Sequence, residues 1–283
     1  MAIIETKNLT YTYPGASKPS IIDVSIKVEK GEFVLITGPS GCGKTTLCRT
    51  FNGLVPHFYQ GEVKGEITVA GQNTLERHTY ELAKYVGLVF QNPENQLFAL
   101  SVEKDVAFGL ENNGVSRDVM RKKVDWALNQ TGIFDLRDRS PHEISGGQQQ
   151  RVAIASVLAM EPEIIVLDEP TSFLDPLSAE KIFEVIYKLN KEQGITVILV
   201  EHRLDLTAKY SNHLIVMDQG SVRFEGDPRQ ILSNEETRLI GVGIPKATLL
   251  YQMLKKEGLN LGGNTPLSSD ELADQILEAL KPQ

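Results

Sequence analysis

The sequence predicts an α/β fold built on a mostly parallel sheet. Three observations carry that expectation. The runs in "PEIIVLDEPT" and "GITVILVEHR" are short and nearly all apolar, as strands buried on both faces must be. The helix-like "LSAEKIFEVIYKLNKEQG" lies between them, which is the rhythm of a sheet covered by helices. A third apolar run, in "GEFVLITGPSG", ends in a glycine-rich turn and feeds another helix, "GKTTLCRTFNGL".

The remaining elements follow in order. "IIETKNLTYTYPG" alternates like a half-buried strand, and "SIIDVSIKV" reads as a second strand. After the glycine-rich turn and its helix, "KGEITVAGQNT" is a surface strand and "YVGLVFQ" a buried one. From about 92 to 150 the texture turns helical, with "SVEKDVAFGLENN" and "SRDVMRKKVDWALNQTG" set between Asn and Gly breakers. "HLIVMDQGSVRFEG" is a terminal hairpin. Beyond about 231 the chain becomes a short helical tail, "KATLLYQMLKKEG" and "SSDELADQILEAL". Ser268 and Glu271 carry a capping-box signature, and Leu272, Ile276 and Leu280 form an apolar stripe that must pack on something. Internal repeats and low-complexity segments are absent from the sequence.

Bulk properties narrow the function classes. With 283 residues, 41% hydrophobic and 23% charged, the chain can bury a substantial core. A net charge of -8 argues against gripping nucleic acid through a broad basic face. The longest apolar run, "ITVILV", is far short of the roughly 20 residues that cross a bilayer, so any membrane role is expected to be peripheral. No secretory signal pattern opens the chain, and the cytoplasm is the expected compartment. The two cysteines, Cys42 and Cys48, fall in one loop-helix element on different faces, so neither a disulfide nor a zinc site is expected. Cys42, at a helix N-terminus, is expected to have a lowered thiol pKa, to be inactivated by alkylation, and to be protected by bound nucleotide.

"GPSGCGKTT" fits the phosphate-loop pattern G-x-x-x-x-G-K-[ST] between a strand and a helix. The run Gly38, Pro39, Ser40, Gly41, Cys42, Gly43, Lys44, Thr45 and Thr46 is the expected nucleotide-binding stretch. Its glycines let backbone N–H groups approach phosphate oxygens, Lys44 supplies a charge to the β and γ phosphates, and Thr45 offers a hydroxyl to Mg²⁺. Asp168, ending the buried run "IIVLD", can hold Mg²⁺ on the side of the sheet where ligands bind, and Glu169 beside it can polarise an attacking water. His202 ends another apolar run on that same side. Gln91, after "YVGLVF", either ligates Mg²⁺ or water or simply begins a loop. "HEISGGQQQR" places small residues at the start of a helix, a second place where an anion can bind.

In this order and at these intervals, the phosphate loop, Gln91, "SGGQQQR", "IIVLDE", "TSFLD" and His202 resemble the nucleotide-binding subunits of ATP-binding cassette transporters, over about residues 3 to 230. The resemblance implies a P-loop NTPase cassette with a mostly parallel core sheet, an antiparallel β subdomain, a helical subdomain near 92–150, and a helical extension over 231–283. It also implies a head-to-tail dimer with a second ATPase subunit, identical or paralogous. Each MgATP would lie between the phosphate loop of one subunit and Ser145, Gly146, Gly147 and Gln148 of the other. Tyr13 would stack on adenine, with Tyr11 as a rival, and Asp175 would contact across the dimer. Glu169, His202 and Gln91 would form the hydrolytic group, and Thr45, Gln91 and Asp168 would hold Mg²⁺. Phe173 is bulkier than the small residue usual there.

A narrower resemblance, carried by "NGLVPHFYQGEVKGEI", "VFQNPENQLFALSVEKDVAFGLEN", "VEHRLD" and the tail, is to the ATPases of energy-coupling factor importers for vitamins and metal ions such as cobalt. It implies a transmembrane coupling protein seated near Gln91, a small substrate-binding membrane protein, and residence at the cytoplasmic membrane face. The tail stripe would pack on the partner's tail or on its own domain. A subunit of another transporter of this kind differs only in partner. A chromosome or DNA-repair ATPase would interrupt the head with long coiled coils, for which the hundred residues between Thr45 and Ser145 leave no room.

Overall fold

The computed structural model describes residues 2–172, 174–259 and 261–281, so Phe173 lies outside the described residues. In chain order the elements begin with strands β1 (Ala2–Thr12), β2 (Ile21–Val24), β3 (Lys27–Glu29) and β4 (Phe33–Thr37). Helices α1 (Lys44–Phe51) and α2 (Leu54–His57), strands β5 (Glu62–Val69) and β6 (Gln72–Asn73), helix α3 (Thr79–Leu82) and strand β7 (Val86–Val89) follow. The helical stretch holds α4 (Val102–Asn112), α5 (Arg117–Gln130) and α6 (Gly146–Ala159). Then come β8 (Ile164–Asp168), α7 (Pro176–Gln193), β9 (Thr196–Val200), α8 (Leu204–Thr207), β10 (His213–Asp218) and β11 (Ser221–Gly226). The chain closes with α9 (Pro228–Ser233), α10 (Glu235–Leu239), α11 (Lys246–Lys256) and α12 (Ser269–Ala279).

Two sheets result. The core sheet runs β11-β10-β4-β9-β8-β7, parallel from β10 to β7 with β11 antiparallel at one edge. All five residues of β4, β8 and β9 are buried, which explains why they read as continuous apolar runs. Alternation divides them between two cores: Leu35, Leu167 and Leu199 face the helical side, while Ile36, Val166 and Val200 face the antiparallel sheet. That second sheet, β2-β1-β5-β6 with β3 also on β1, supplies Ile4, Leu9 and Tyr11 to the shared core. The expected α/β class is therefore observed.

"SIIDVSIKV" forms two strands rather than one. The Thr6 hydroxyl donates to Val24 O at 2.9 Å and accepts from Ile26 N at 3.1 Å, and Asp23 has φ +50°, so the pairing with β1 breaks there. In the tail, Ser268 accepts from Glu271 N, but the Glu271 carboxylate does not return the bond. It forks onto Arg229 at 2.6 and 3.0 Å and accepts from Leu267 N instead. The stripe divides too. Leu272 and Ile276 pack with Ala247 and Tyr251 of α11 in the same chain, whereas Leu280 is exposed. The tail also reaches the cassette where Asp205 accepts from Lys246 N at 2.7 Å.

Candidate active site

β4 delivers the chain at its C-terminal end into the loop 38–43, from which α1 departs. Glycine is required at two of these positions. A Cβ on Gly38, at φ +144°, would sit 2.0 Å from Met217 O, and one on Gly43, at φ +106°, would sit 2.5 Å from Ser20 O. The loop can lie against β10 and the segment before β2 only because both side chains are missing. A cavity of about 320 Å³ opens beside it, lined by Ser40, Gly41, Gly43, Lys44, Thr45, Thr46, Gln91, Glu169 and Ser20. The buried Lys44 ammonium donates to Gly38 O at 2.9 Å and Pro39 O at 3.0 Å, folded onto the loop that surrounds it.

The expected acidic pair is in place. Asp168 is buried and accepts from Thr45 Oγ1 at 3.1 Å. Burial pushes its carboxyl above the usual range, with the Thr45 hydrogen bond opposing the shift. Asp168, Thr45 and neighbouring Gln91 offer carboxylate, hydroxyl and amide oxygens, a hard donor set that fits Mg²⁺. A divalent cation would also relieve the cost of that buried charge.

Glu169 has φ +48°, a left-handed backbone uncommon outside glycine, which turns its side chain off the strand direction. Its carboxylate accepts from Gln91 Nε2 at 2.8 Å and lies 3.0 Å from His202 Nε2. A carboxylate only accepts, so a hydrogen bond across this contact requires the imidazole hydrogen on Nε2. The geometry thus brings Gln91, Glu169 and His202 together, with Gln91 and Glu169 lining the cavity beside the loop.

Of the two tyrosines, Tyr11 is fully buried with its hydroxyl on Gln60 O at 2.6 Å, and burial pushes it up to about 12. It has no face to offer a ligand. Tyr13 is half-buried and stands over α1, 3.2 Å from Thr46 Oγ1, with Arg49 Nη1 at 3.4 Å. Ser145 caps α6: its hydroxyl accepts from Gln148 N at 3.3 Å, and Gln148 Oε1 accepts from Ser145 N at 2.9 Å. Ser145 is exposed, and none of Ser145, Gly146, Gly147 or Gln148 lines the cavity beside loop 38–43 of its own chain. Asp175 caps α7 on the surface by accepting from Ser178 N at 3.0 Å.

Cys42 departs from expectation. It is 5% exposed, and burial pushes its thiol up rather than down, outweighing the lowering effect of Lys44. Cys48 is buried as well, and both are free thiols. Sequence reasoning missed Ser20, whose carbonyl packs on Gly43, and Arg49, whose guanidinium lies 4.5 Å from the Tyr59 ring centroid beside Tyr13. It also missed Glu201 and Thr171, hydrogen-bonded to each other beneath the site. Nothing in the local pattern singles out these four.

Comparison with known proteins agrees with this geometry. The ABC transporter family model matches residues 21–172. A protein named as an ABC transporter ATP-binding protein in Pyrococcus abyssi is 45% identical over 99% of this chain and 100% of its own length. The energy-coupling factor transporter ATP-binding protein EcfA1 of Caldanaerobacter subterraneus subsp. tengcongensis is 41% identical over 97% and 98%. Among solved structures, CbiO1 of Clostridium perfringens, part of the ABC transporter complex CbiONQ, superposes with TM-score 0.74 at 35% identity, over 89% of this chain and 98% of that one. A dimeric post-hydrolysis cassette, MJ0796, bound to ADP and Pi, gives TM-score 0.70 at 31% identity over 80% and 98%. Phosphate loop, acidic pair and relatives agree: the chain belongs to the ABC transporter family and is one of its ATP-binding, ATP-hydrolysing subunits.

Proposed function

We propose that this chain is the ATPase subunit of an energy-coupling factor type importer, working with a second ATPase subunit to drive uptake of a vitamin or a transition-metal ion such as cobalt. The cassette is 1–230, with its helical part near 92–150, and 231–283 is an extension. One observation carries the catalytic part of the reading: Glu169 is held by both Gln91 and His202 at a cavity beside loop 38–43 that Ser145 of the same chain does not line. In this reading the helix start of a head-to-tail partner completes each cavity. The likeness to EcfA1 and to CbiO1 supports the importer type.

The residues work as follows. Backbone N–H groups of 38–46 cradle the phosphates, and Lys44 leaves the Gly38 and Pro39 carbonyls for the γ phosphate. Thr45, Asp168 and Gln91 would hold Mg²⁺, which would supply positive charge to offset that of the phosphates. Tyr13 stacks on adenine. Glu169 gives up one of its two bonds to accept a proton from the attacking water, and His202 Nε2 turns to the γ phosphate. Ser145, Gly146, Gly147 and Gln148 present the α6 N-terminus to the partner's γ phosphate, and Asp175 contacts the partner. Closure moves a transmembrane coupling protein, docked near Gln91 on the cytoplasmic face of the membrane, and with it a small substrate-binding membrane protein.

Size-exclusion chromatography and MgATP turnover of Glu169→Gln test this reading. The variant keeps ATP affinity, loses roughly 10²-fold or more in turnover, and accumulates as an ATP-bound dimer. Wild-type turnover in E169Q would remove Glu169 from the reaction. A pull-down from solubilised membranes separates the importer type, which yields a small coupling protein, from a transporter with a large dedicated permease.

A further inference from the structure

Glu201 is a buried carboxylate, 3% exposed, that the reaction above does not use. Burying a carboxylate is costly unless several donors surround it, so its partners indicate its task. Oε2 accepts from the backbone N–H groups of His202 at 2.9 Å and Arg203 at 3.1 Å. Oε1 accepts from the hydroxyl of Thr171, which is itself fully buried. One side chain therefore fastens the backbone of the histidine that meets Glu169 to the segment that follows Glu169.

Other bonds close the ring. Arg203 Nη1 reaches Thr171 O and Leu174 O, each at 3.5 Å. Glu169 O accepts from Ser172 N at 3.3 Å and from Ser172 Oγ at 3.1 Å. Glu169 N donates to Val200 O at 3.0 Å. The ends of β8 and β9 are thus tied below the Glu169–His202 contact, and Thr171 and Leu174 extend the tie toward the head of α7. A hydroxyl or amide at position 201 could not accept from all three donors with full charge; a carboxylate can.

We propose that Glu201 is a positioning residue: it holds His202 in line with Glu169 and fixes that alignment to Thr171. The inference rests on the hydrolytic roles proposed for Glu169 and His202. A residue acting through His202 must lose its effect once the imidazole is gone, whereas one that only supports the fold must not.

The experiment is a set of double-mutant cycles on MgATP turnover by the full chain, using Glu201→Leu, Glu201→Gln, Thr171→Val and His202→Ala, with melting temperature recorded for each. Glu201→Leu is expected to lower kcat about 30-fold or more with KM for MgATP within about twofold, because misplacement of a reacting group acts on the chemical step. Glu201→Gln, which can still accept from the two backbone N–H groups, restores most of that loss. Neither Glu201→Leu nor Thr171→Val lowers turnover further when His202 is already alanine. If Glu201→Leu does not fold, Thr171→Val carries the test, since it removes one bond and leaves the carboxylate. Wild-type kcat in the folded Glu201 and Thr171 variants, or losses that multiply in the His202→Ala background, would overturn the proposal while leaving the catalytic reading intact. Undiminished turnover in His202→Ala would overturn both.

Discussion

Thr45 Oγ1 donates to Asp168 Oδ1 over 3.1 Å, joining the first turn of α1 to the end of β8 across 123 residues of sequence. Each carries an oxygen donor of the kind hard cations take, and the hydrogen bond keeps the two at mutual reach. Asp168→Asn keeps the shape and removes the charge. It is expected to lower MgATP turnover by roughly 10²-fold while ATP binding measured without Mg²⁺ changes little. Equal losses of binding with and without Mg²⁺ would assign Asp168 to the fold instead.

Cys42 behaves oppositely to a thiol activated by a helix start. Because burial raises its pKa, maleimide labelling at about pH 7.5 is expected to be at least about tenfold slower than that of an exposed model thiol, and to accelerate with pH. Labelling that does occur fills the space beside Lys44, so turnover falls with it and MgATP slows it. Fast labelling at neutral pH would contradict the burial described here.

His213 is the residue whose titration should appear in stability. Its ring lies between Glu225 Oε1 at 3.2 Å and Glu32 Oε2 at 3.1 Å, and the Glu225 bond, aided by Glu32 and opposed by burial, raises its pKa. A raised folded value means the stabilisation is complete below the ordinary histidine value of about 6.5 and is lost as pH climbs through the folded one. The stability difference between wild type and His213→Gln should be on the order of 1 kcal/mol at about pH 6 and smaller at about pH 9, by denaturant titration. A difference that grows with pH would mean that the ring folds neutral.

Much of this was legible in the sequence, for reasons specific to each element. β8 and β9 declare themselves because both faces are buried, and the phosphate loop because Gly38 and Gly43 are forced by the Met217 and Ser20 carbonyls. Short pieces such as α2, with four residues, have too little periodicity to show. The break after β2 depends on one hydroxyl, Thr6, from another strand. The choice between Tyr11 and Tyr13 turns on which ring the neighbouring sheet covers, which residue type cannot reveal. Glu201 stayed hidden because its meaning lies in Thr171, thirty residues away.

The exposed position of Ser145, outside the cavity of its own chain, has an arithmetic consequence under the proposed pairing. Each polypeptide would contribute halves to two different reaction centres. Pair a Glu169→Gln chain with a Ser145→Arg chain, and both lesions fall into the same centre while the other centre contains none. Neither altered protein alone can form an intact centre, yet a mixture of the two regains turnover, approaching half the wild-type value in each mixed pair. Two defective preparations that repair one another on mixing would behave as a genetic complementation test carried out in a cuvette.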